Sequence, residues 1–215
     1  MTPSTTRENI ERFAEAAASW DEKPQRVELA RAVAAAIKKY VPLSADEEVL
    51  EFGCGTGLVT VQIAPYVGGI LAVDSSKDML AVLEEKISKQ GMRNITPLAV
   101  HLDAGSKPDQ LFDLIFSSMT LHHIDDVAGL LALFHSMLKP GGRIAIADLE
   151  KEDGSFHDDN RGVVHHGFAT DAFQQMLADA NFSDIECHRA HVIEKNTENG
   201  DSRSYPVFLA IGTKA

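Results

Sequence analysis

Residues 49–57 read VLEFGCGTG: an apolar run of strand length with one carboxylate, Glu51, then glycines at 53, 55 and 57. Alternate glycines between an apolar strand and a helix leave main chain without Cβ at the positive end of that helix, where a ligand can lie on the backbone itself. The spacing is G-x-G-x-G, whereas the dinucleotide fingerprint is G-x-G-x-x-G. No lysine follows the loop, which excludes the G-x-x-x-x-G-K-[ST] phosphate loop. The next apolar strand, GILAVD, ends in Asp74. A carboxylate at that point of a doubly wound sheet can accept hydrogen bonds from both hydroxyls of a ribose. The same residue also stands where it can cap a helix beginning at Ser75 or Ser76.

Around this loop the chain alternates between two periodicities. Residues 7–19 set Ile10, Phe13, Ala14 and Ala17 at helical spacing. Pro24 suits the first turn of a second helix, with Val27, Leu29, Ala30, Val33, Ala34 and Ile37 on its buried side. From residue 47 strands alternate with helices: EEVLEF, a helix within LVTVQIAPYV that Pro65 ends, GILAVD, a helix ending at Gly91, ITPLAV, DLIFSS, a helix closed by a Pro-Gly-Gly turn, and RIAIADLE. The helix TDAFQQMLADA and two strands joined by a polar turn complete the chain. Strands with helical crossovers imply a mostly parallel sheet covered on both faces, here with an antiparallel C-terminal hairpin. With 215 residues, 44% of them apolar, one domain is expected: a helical lid or cap over 1–40 and a Rossmann-like α/β core over 47–215.

Charge narrows the partners. Twenty basic against 32 acidic residues give a net of −12, which disfavours nucleic acid and anionic membranes. The two cysteines, Cys54 and Cys187, lie in the glycine loop and a strand, so no disulfide framework is expected. The N-terminus lacks the apolar core of a secretory signal, and no run approaches the roughly 20 apolar residues of a membrane span. A cytoplasmic location is expected.

Taken together, these stretches resemble the class I S-adenosylmethionine-dependent methyltransferases, in particular the small-molecule group related to ubiquinone and menaquinone biosynthesis. VLEFGCGTG is similar to the family's E/D-x-G-x-G-x-G motif, AVD to its ribose-binding end, and HLDAG places Asp103 where adenine is often contacted. FDLIFSSMTLHHIDD and LKPGGRIAIADLE resemble its fourth motif and fifth strand, and RFAEAAASWDEKP its F-x-x-x-A-x-x-[YW]-D lead-in. The resemblance implies a three-layer sandwich with seven strands in the order 3-2-1-4-5-7-6. It implies S-adenosyl-L-methionine as cofactor, held by Trp20, Glu51, Gly53, Cys54, Gly55, Gly57, Asp74, Ser75, Met79, Leu102, Asp103, Ser117 and Ser118. For Met79 and Leu102 a place in the core is an equal expectation.

The acceptor is less legible. Ser117-Ser118-Met119-Thr120 lacks the [DNS]-P-P-[YFW] of methylases acting on exocyclic adenine nitrogen or glutamine amides, and Leu121-His122-His123 resembles small-molecule methyltransferases. Methyl transfer from a sulfonium needs chiefly alignment and exclusion of water, with a base only when the nucleophile must lose a proton. His123, His165 and His166 are the candidates for that role. Phe13, Trp20, His122, His157 and His166 are the candidates to wall the acceptor, with the N-terminal helix as a lid. The histidines of 157–166, with Asp158 and Asp159, match no familiar zinc spacing, and no metal is expected. A small-molecule acceptor and a monomer or homodimer complete the expectation. The alternatives are a cofactor-binding interaction partner and, against the glycine spacing, an NAD-dependent oxidoreductase.

Overall fold

A computed structural model describes residues 3–196 and 202–215, with side chains from 10 to 195 and from 202 onward. Two helices, α1 (Pro3–Ala16) and α2 (Pro24–Tyr40), flank a 3-10 segment, Ala17–Glu22. The core then runs β1 (Glu48–Phe52), α3 (Thr60–Ile63), β2 (Gly69–Asp74), α4 (Lys77–Gln90), β3 (Ile95–Ala99), β4 (Phe112–Ser118), α5 (Val127–Met137), β5 (Leu138–Leu149), α6 (Thr170–Asp179), β6 (Phe182–Asn196) and β7 (Ser202–Lys214). A further 3-10 turn, Leu121–His123, follows β4.

The seven strands form one sheet in the expected order, β3-β2-β1-β4-β5-β7-β6, parallel except where β7 pairs antiparallel with β5 and β6. β1 lies at the centre, with Glu51 level with Ala72 of β2 and Phe116 of β4. The sheet separates two apolar clusters. One gathers α2, α3 and α4 around Ile37, Ile63, Leu83 and Phe116, and the other gathers α5 and α6 around Phe134, Phe173 and Phe208. Strands buried on both faces explain the near-continuous apolar runs in the sequence.

Three local expectations change. The helix after the glycine loop is only Thr60–Ile63, continued as 3-10 over Ala64–Tyr66. Thr60, Val61 and Ile63 are β-branched, and Pro65 offers no amide to extend the ladder. The first helix ends at Ala16 and tightens to 3-10 through Trp20. The Lys139–Gly142 stretch opens β5 instead of closing a turn: Leu138 pairs with Phe112, the register shifts, and Gly141 sits at φ 74°. Gly91 ends α4 at φ 64°, as its position predicts. The expected turn between the last strands falls at 197–201, outside the described residues.

Phe116 is fully buried in the central strand pair. Phe116→Ala is expected to lower unfolding free energy by about 3–5 kcal/mol, the range for a buried phenylalanine left as a cavity. Denaturant unfolding with an unchanged slope measures it.

Candidate functional site

At the C-terminal end of β1 the chain turns through three left-handed glycines, Gly53 (φ 69°), Gly55 (54°) and Gly57 (77°). Gly53 and Cys54 donate their amides to the Val73 carbonyl at 2.8 and 3.0 Å, tying the loop to β2. The glycines serve different needs. A Cβ at Gly53 would lie 2.4 Å from Thr120, and one at Gly57 2.3 Å from Leu83, but one at Gly55 would meet nothing within 4 Å. Gly53 and Gly57 are required by packing, whereas Gly55 presents bare main chain to open space, where a ligand can approach the backbone.

Asp74 faces that surface. The Gly55 amide donates to its Oδ2 at 2.8 Å and the Ser76 amide to its Oδ1 at 2.8 Å. Each oxygen keeps a second lone pair for a hydroxyl donor. Burial raises the carboxyl above its ordinary value, against the opposing pull of the Ser76, Gly55 and Ser75 amides. The cap of α4 is Ser76, whose hydroxyl accepts from the Met79 amide at 3.3 Å. Ser75 is exposed.

Beneath the loop, Glu51 is only 2% exposed and accepts a hydrogen bond from Thr60 Oγ1. Burial pushes its carboxyl up to about 8; the Thr60 bond opposes this and the nearby Asp74 charge adds to it. Burial and the same two carboxylates push the Cys54 thiol up, so it is inert at neutral pH. Ser117 is buried and donates its hydroxyl to the Phe52 carbonyl at 2.8 Å; Ser118 is half-buried beside it. Met79 and Leu102 lie in the core, Leu102 among Leu50, Val73 and Phe112. Asp103 is exposed and organises its own turn, accepting from the Ser106 hydroxyl and the Gly105 amide, which holds it below the usual carboxylate range.

Across β1, the ends of β4 and β5 carry the histidines. Asp148, fully buried at the end of β5, pairs with His122 Nδ1 at 2.7 Å and also accepts from the His122 and Leu149 amides. Burial acts to raise its pKa, but His122 and these bonds outweigh it and hold Asp148 below its ordinary value. A carboxylate can only accept, so Nδ1 carries the proton of this bond. His123 donates Nδ1–H to the Gly162 carbonyl at 2.8 Å; burial, then His122, lower its pKa to about 3. His157 completes a cluster of mutually tilted rings, 5.0 Å from His122 and 5.9 Å from His123 between centroids. Burial, then His122, lower it to about 4, and its Nε2 is buried without a hydrogen-bond partner.

The N-terminal segment packs against this group. Phe13 sits edge-on to His123 at 5.4 Å and to Trp20 at 5.7 Å, Arg26 lies 3.5 Å over Trp20, and Arg12 donates to the Arg161 and Asp159 carbonyls. The structure thus brings together Phe13, Trp20, His122, His123 and His157. It turns two other candidates elsewhere: His165 donates Nε2–H to the Ile124 carbonyl at 2.9 Å, and the exposed His166 lies 3.5 Å from Glu152. Among the described residues, no group of three or more His, Cys, Asp or Glu has an arrangement able to hold a metal. Asp148 and Thr60 escaped the sequence reading, although Asp148 follows the apolar run of β5, one residue before its end, much as Asp74 follows that of β2.

Residues 49–142 match the family model described as a methyltransferase domain. The chain is 33% identical over 153 residues to an uncharacterized methyltransferase of Schizosaccharomyces pombe, covering 64% of this chain and 54% of that protein. It is 33% identical over 153 residues to phosphoethanolamine N-methyltransferase 1 of Zea mays (66% and 29%). It is 31% identical over 109 residues to a ubiquinone/menaquinone biosynthesis C-methyltransferase of a Marinomonas species (49% and 43%). The chain therefore spans about half or less of the length of these relatives. Among solved structures, YcgJ of Bacillus subtilis superposes with a TM-score of 0.68 at 19% identity, over 86% of this chain and 98% of that one. A phosphoethanolamine N-methyltransferase 2 of Haemonchus contortus, solved with S-adenosylhomocysteine, gives 0.66 at 19% identity, over 86% and 52%.

Glu51 offers a test that needs no ligand. Its value in the folded state, about 8, lies above the ordinary 4.5, so the folded protein retains a proton that the unfolded chain releases between those limits. Stability from this group is complete below pH 4.5 and declines as pH rises toward 8. Against Glu51→Gln, the wild type is expected to lose roughly 3–5 kcal/mol between pH 4.5 and 8. Thermal unfolding of both proteins across that range measures it; parallel curves would show that Glu51 is ionised in the fold.

Proposed function

We propose that the chain, whose residues 49–142 match a methyltransferase domain, is a class I S-adenosylmethionine-dependent methyltransferase that transfers the methyl group of that donor to a small molecule held beneath its N-terminal segment. The supporting observation is the Gly55–Asp74 hydrogen bond, which sets bare main chain beside a ribose-competent carboxylate at the centre of the sheet. We read the whole chain as one such unit, monomeric or dimeric, working in the cytoplasm. Both cysteines are free, and no helix among the described residues is long and apolar enough to cross a membrane.

When bound, the donor supplies an electrophilic methyl carbon on a positively charged sulfur. The chain's part is to hold, align and exclude water. Gly53, Gly55 and Gly57 shape the seat, Asp74 holds the ribose, Glu51 with Thr60 backs the methionine end, and Asp103 stands toward the base. Phe13, Trp20, His123 and His157 form a neutral aromatic wall for the acceptor. His122, fixed by Asp148, is the group best held to take a proton from an acceptor that must lose one. His123 serves the wall better than the base role, because its low pKa makes it a poor proton acceptor at neutral pH.

The direct test is a panel of small acceptors, phosphoethanolamine and quinone precursors among them, read by S-adenosylhomocysteine release. Turnover on at least one supports the reading; release that never exceeds the acceptor-free rate, from protein that binds the donor, would favour a non-enzymatic role. Asp74→Ala is expected to weaken donor binding by about 1.5–3 kcal/mol, the range for hydrogen bonds to a charged group. Unchanged affinity in the folded variant would remove Asp74 from the seat. Asp148→Asn is expected to lower kcat roughly a hundredfold for an acceptor that loses a proton while leaving the Kd for S-adenosylhomocysteine alone. An unaltered kcat would make the His122–Asp148 pair purely structural.

A further inference from the structure

Thr56 stands between Gly55 and Gly57 and is 1% exposed, yet its polar groups are used by residues far along the chain. Its hydroxyl donates to Asp21 Oδ1 at 2.7 Å, and its carbonyl accepts from Lys86 Nζ on α4 at 2.7 Å. Lys86 Nζ in turn lies 2.5 Å from Asp21 Oδ2, the two side chains being 18% and 31% exposed. Three contacts close a ring on one loop residue. A partly buried pair that also bonds main chain is worth more than an ion pair in open water, and losing one member leaves the others without partners.

Asp21 directly follows Trp20, which contacts Phe13, which contacts His123. The 3-10 segment and α1 both pack against α4. At its other end, Arg12 ties α1 to carbonyls of the loop after β5. The N-terminal segment is thus pinned once to the glycine loop and once to the acceptor side.

We propose that Asp21 and Lys86 are positioning residues that register the N-terminal segment on the glycine loop, so that the donor seat and the aromatic wall of the acceptor site are set together. This rests on the donor seat proposed above. A donor settling on Gly55 finds Thr56 already oriented, and anything that lifts Asp21 carries Trp20 and Phe13 away from His123. Neither residue touches the reacting atoms.

The test compares wild type with Asp21→Asn, Lys86→Met and the conservative Lys86→Arg by hydrogen exchange, without ligand and with S-adenosylhomocysteine, and by calorimetry with that ligand. Residues 13–22 are expected to exchange about tenfold faster or more in Asp21→Asn and Lys86→Met, while β1 and β4 keep their protection. S-adenosylhomocysteine affinity is expected to fall about tenfold to a hundredfold in both, with Lys86→Arg near wild type. With a working acceptor, its KM should rise more than kcat falls. Unchanged exchange over 13–22 overturns the proposal, as does faster exchange with unaltered affinity. Loss of protection in β1 and β4 alongside 13–22, in Lys86→Arg as well, overturns it too, since the pair would then serve general stability. A wild type that binds no S-adenosylhomocysteine contradicts the proposed function instead, and the ligand-free exchange comparison still decides whether the clamp exists.

Discussion

One hydrogen bond, from the Gly55 amide to the Asp74 carboxylate, organises the C-terminal edge of the sheet. It joins the loop after β1 to the end of β2, and it is possible only because the loop runs through left-handed φ at alternate positions. Asp74 needs such donors, since burial raises its pKa and only the amides of Gly55, Ser75 and Ser76 oppose that effect. The loop needs the carboxylate equally, because it fixes the direction of main chain that no side chain covers. Everything placed on this edge, from the Glu51–Thr60 pair below to Thr56 and Asp21 above, depends on that geometry.

The strand order assigns the rest. β1 has β2 on one side and β4 on the other; the chain runs outward through β2 and β3 and then crosses back to β4, the reversal that opens a crevice above a doubly wound sheet. Asp74 lies on the β2 side, while His122, His123 and Asp148 lie beyond β4. Each side carries a carboxylate at the end of an otherwise apolar strand. Asp74 is matched with main-chain amides and suits a neutral hydroxyl donor; Asp148 is matched with an imidazole and suits control of a proton. The N-terminal segment bridges the two sides.

Most of the fold was legible because it rests on period and punctuation. Apolar runs bounded by glycine and proline locate the strands, and Gly91 stops α4 where expected. The short α3 and the bulged start of β5 were misjudged because both depend on tertiary competition. β-branched residues and Pro65 lose to the 3-10 turn, and Phe112 recruits Leu138 into the sheet despite Pro140. At the site, Gly55 and Asp74 announce themselves by spacing, whereas Asp148, Thr60 and the Asp21–Thr56–Lys86 ring do not. Their partners lie between 9 and 65 residues away in sequence, and only folding makes them neighbours. The histidines show the same limit: five candidates are equal in composition, but hydrogen bonds to Ile124 and Gly162 and the pairing with Asp148 give His165, His123 and His122 separate tasks.

The central claim is that bare main chain at Gly55 and the carboxylate of Asp74 form a seat for an adenosyl methyl donor and not for a dinucleotide. Parallel calorimetric titrations of the wild-type protein with S-adenosylhomocysteine and with NAD test it most directly. Saturable one-to-one binding of S-adenosylhomocysteine, with no heat of binding from NAD, is the predicted result. Binding of NAD, or of neither compound, would contradict it.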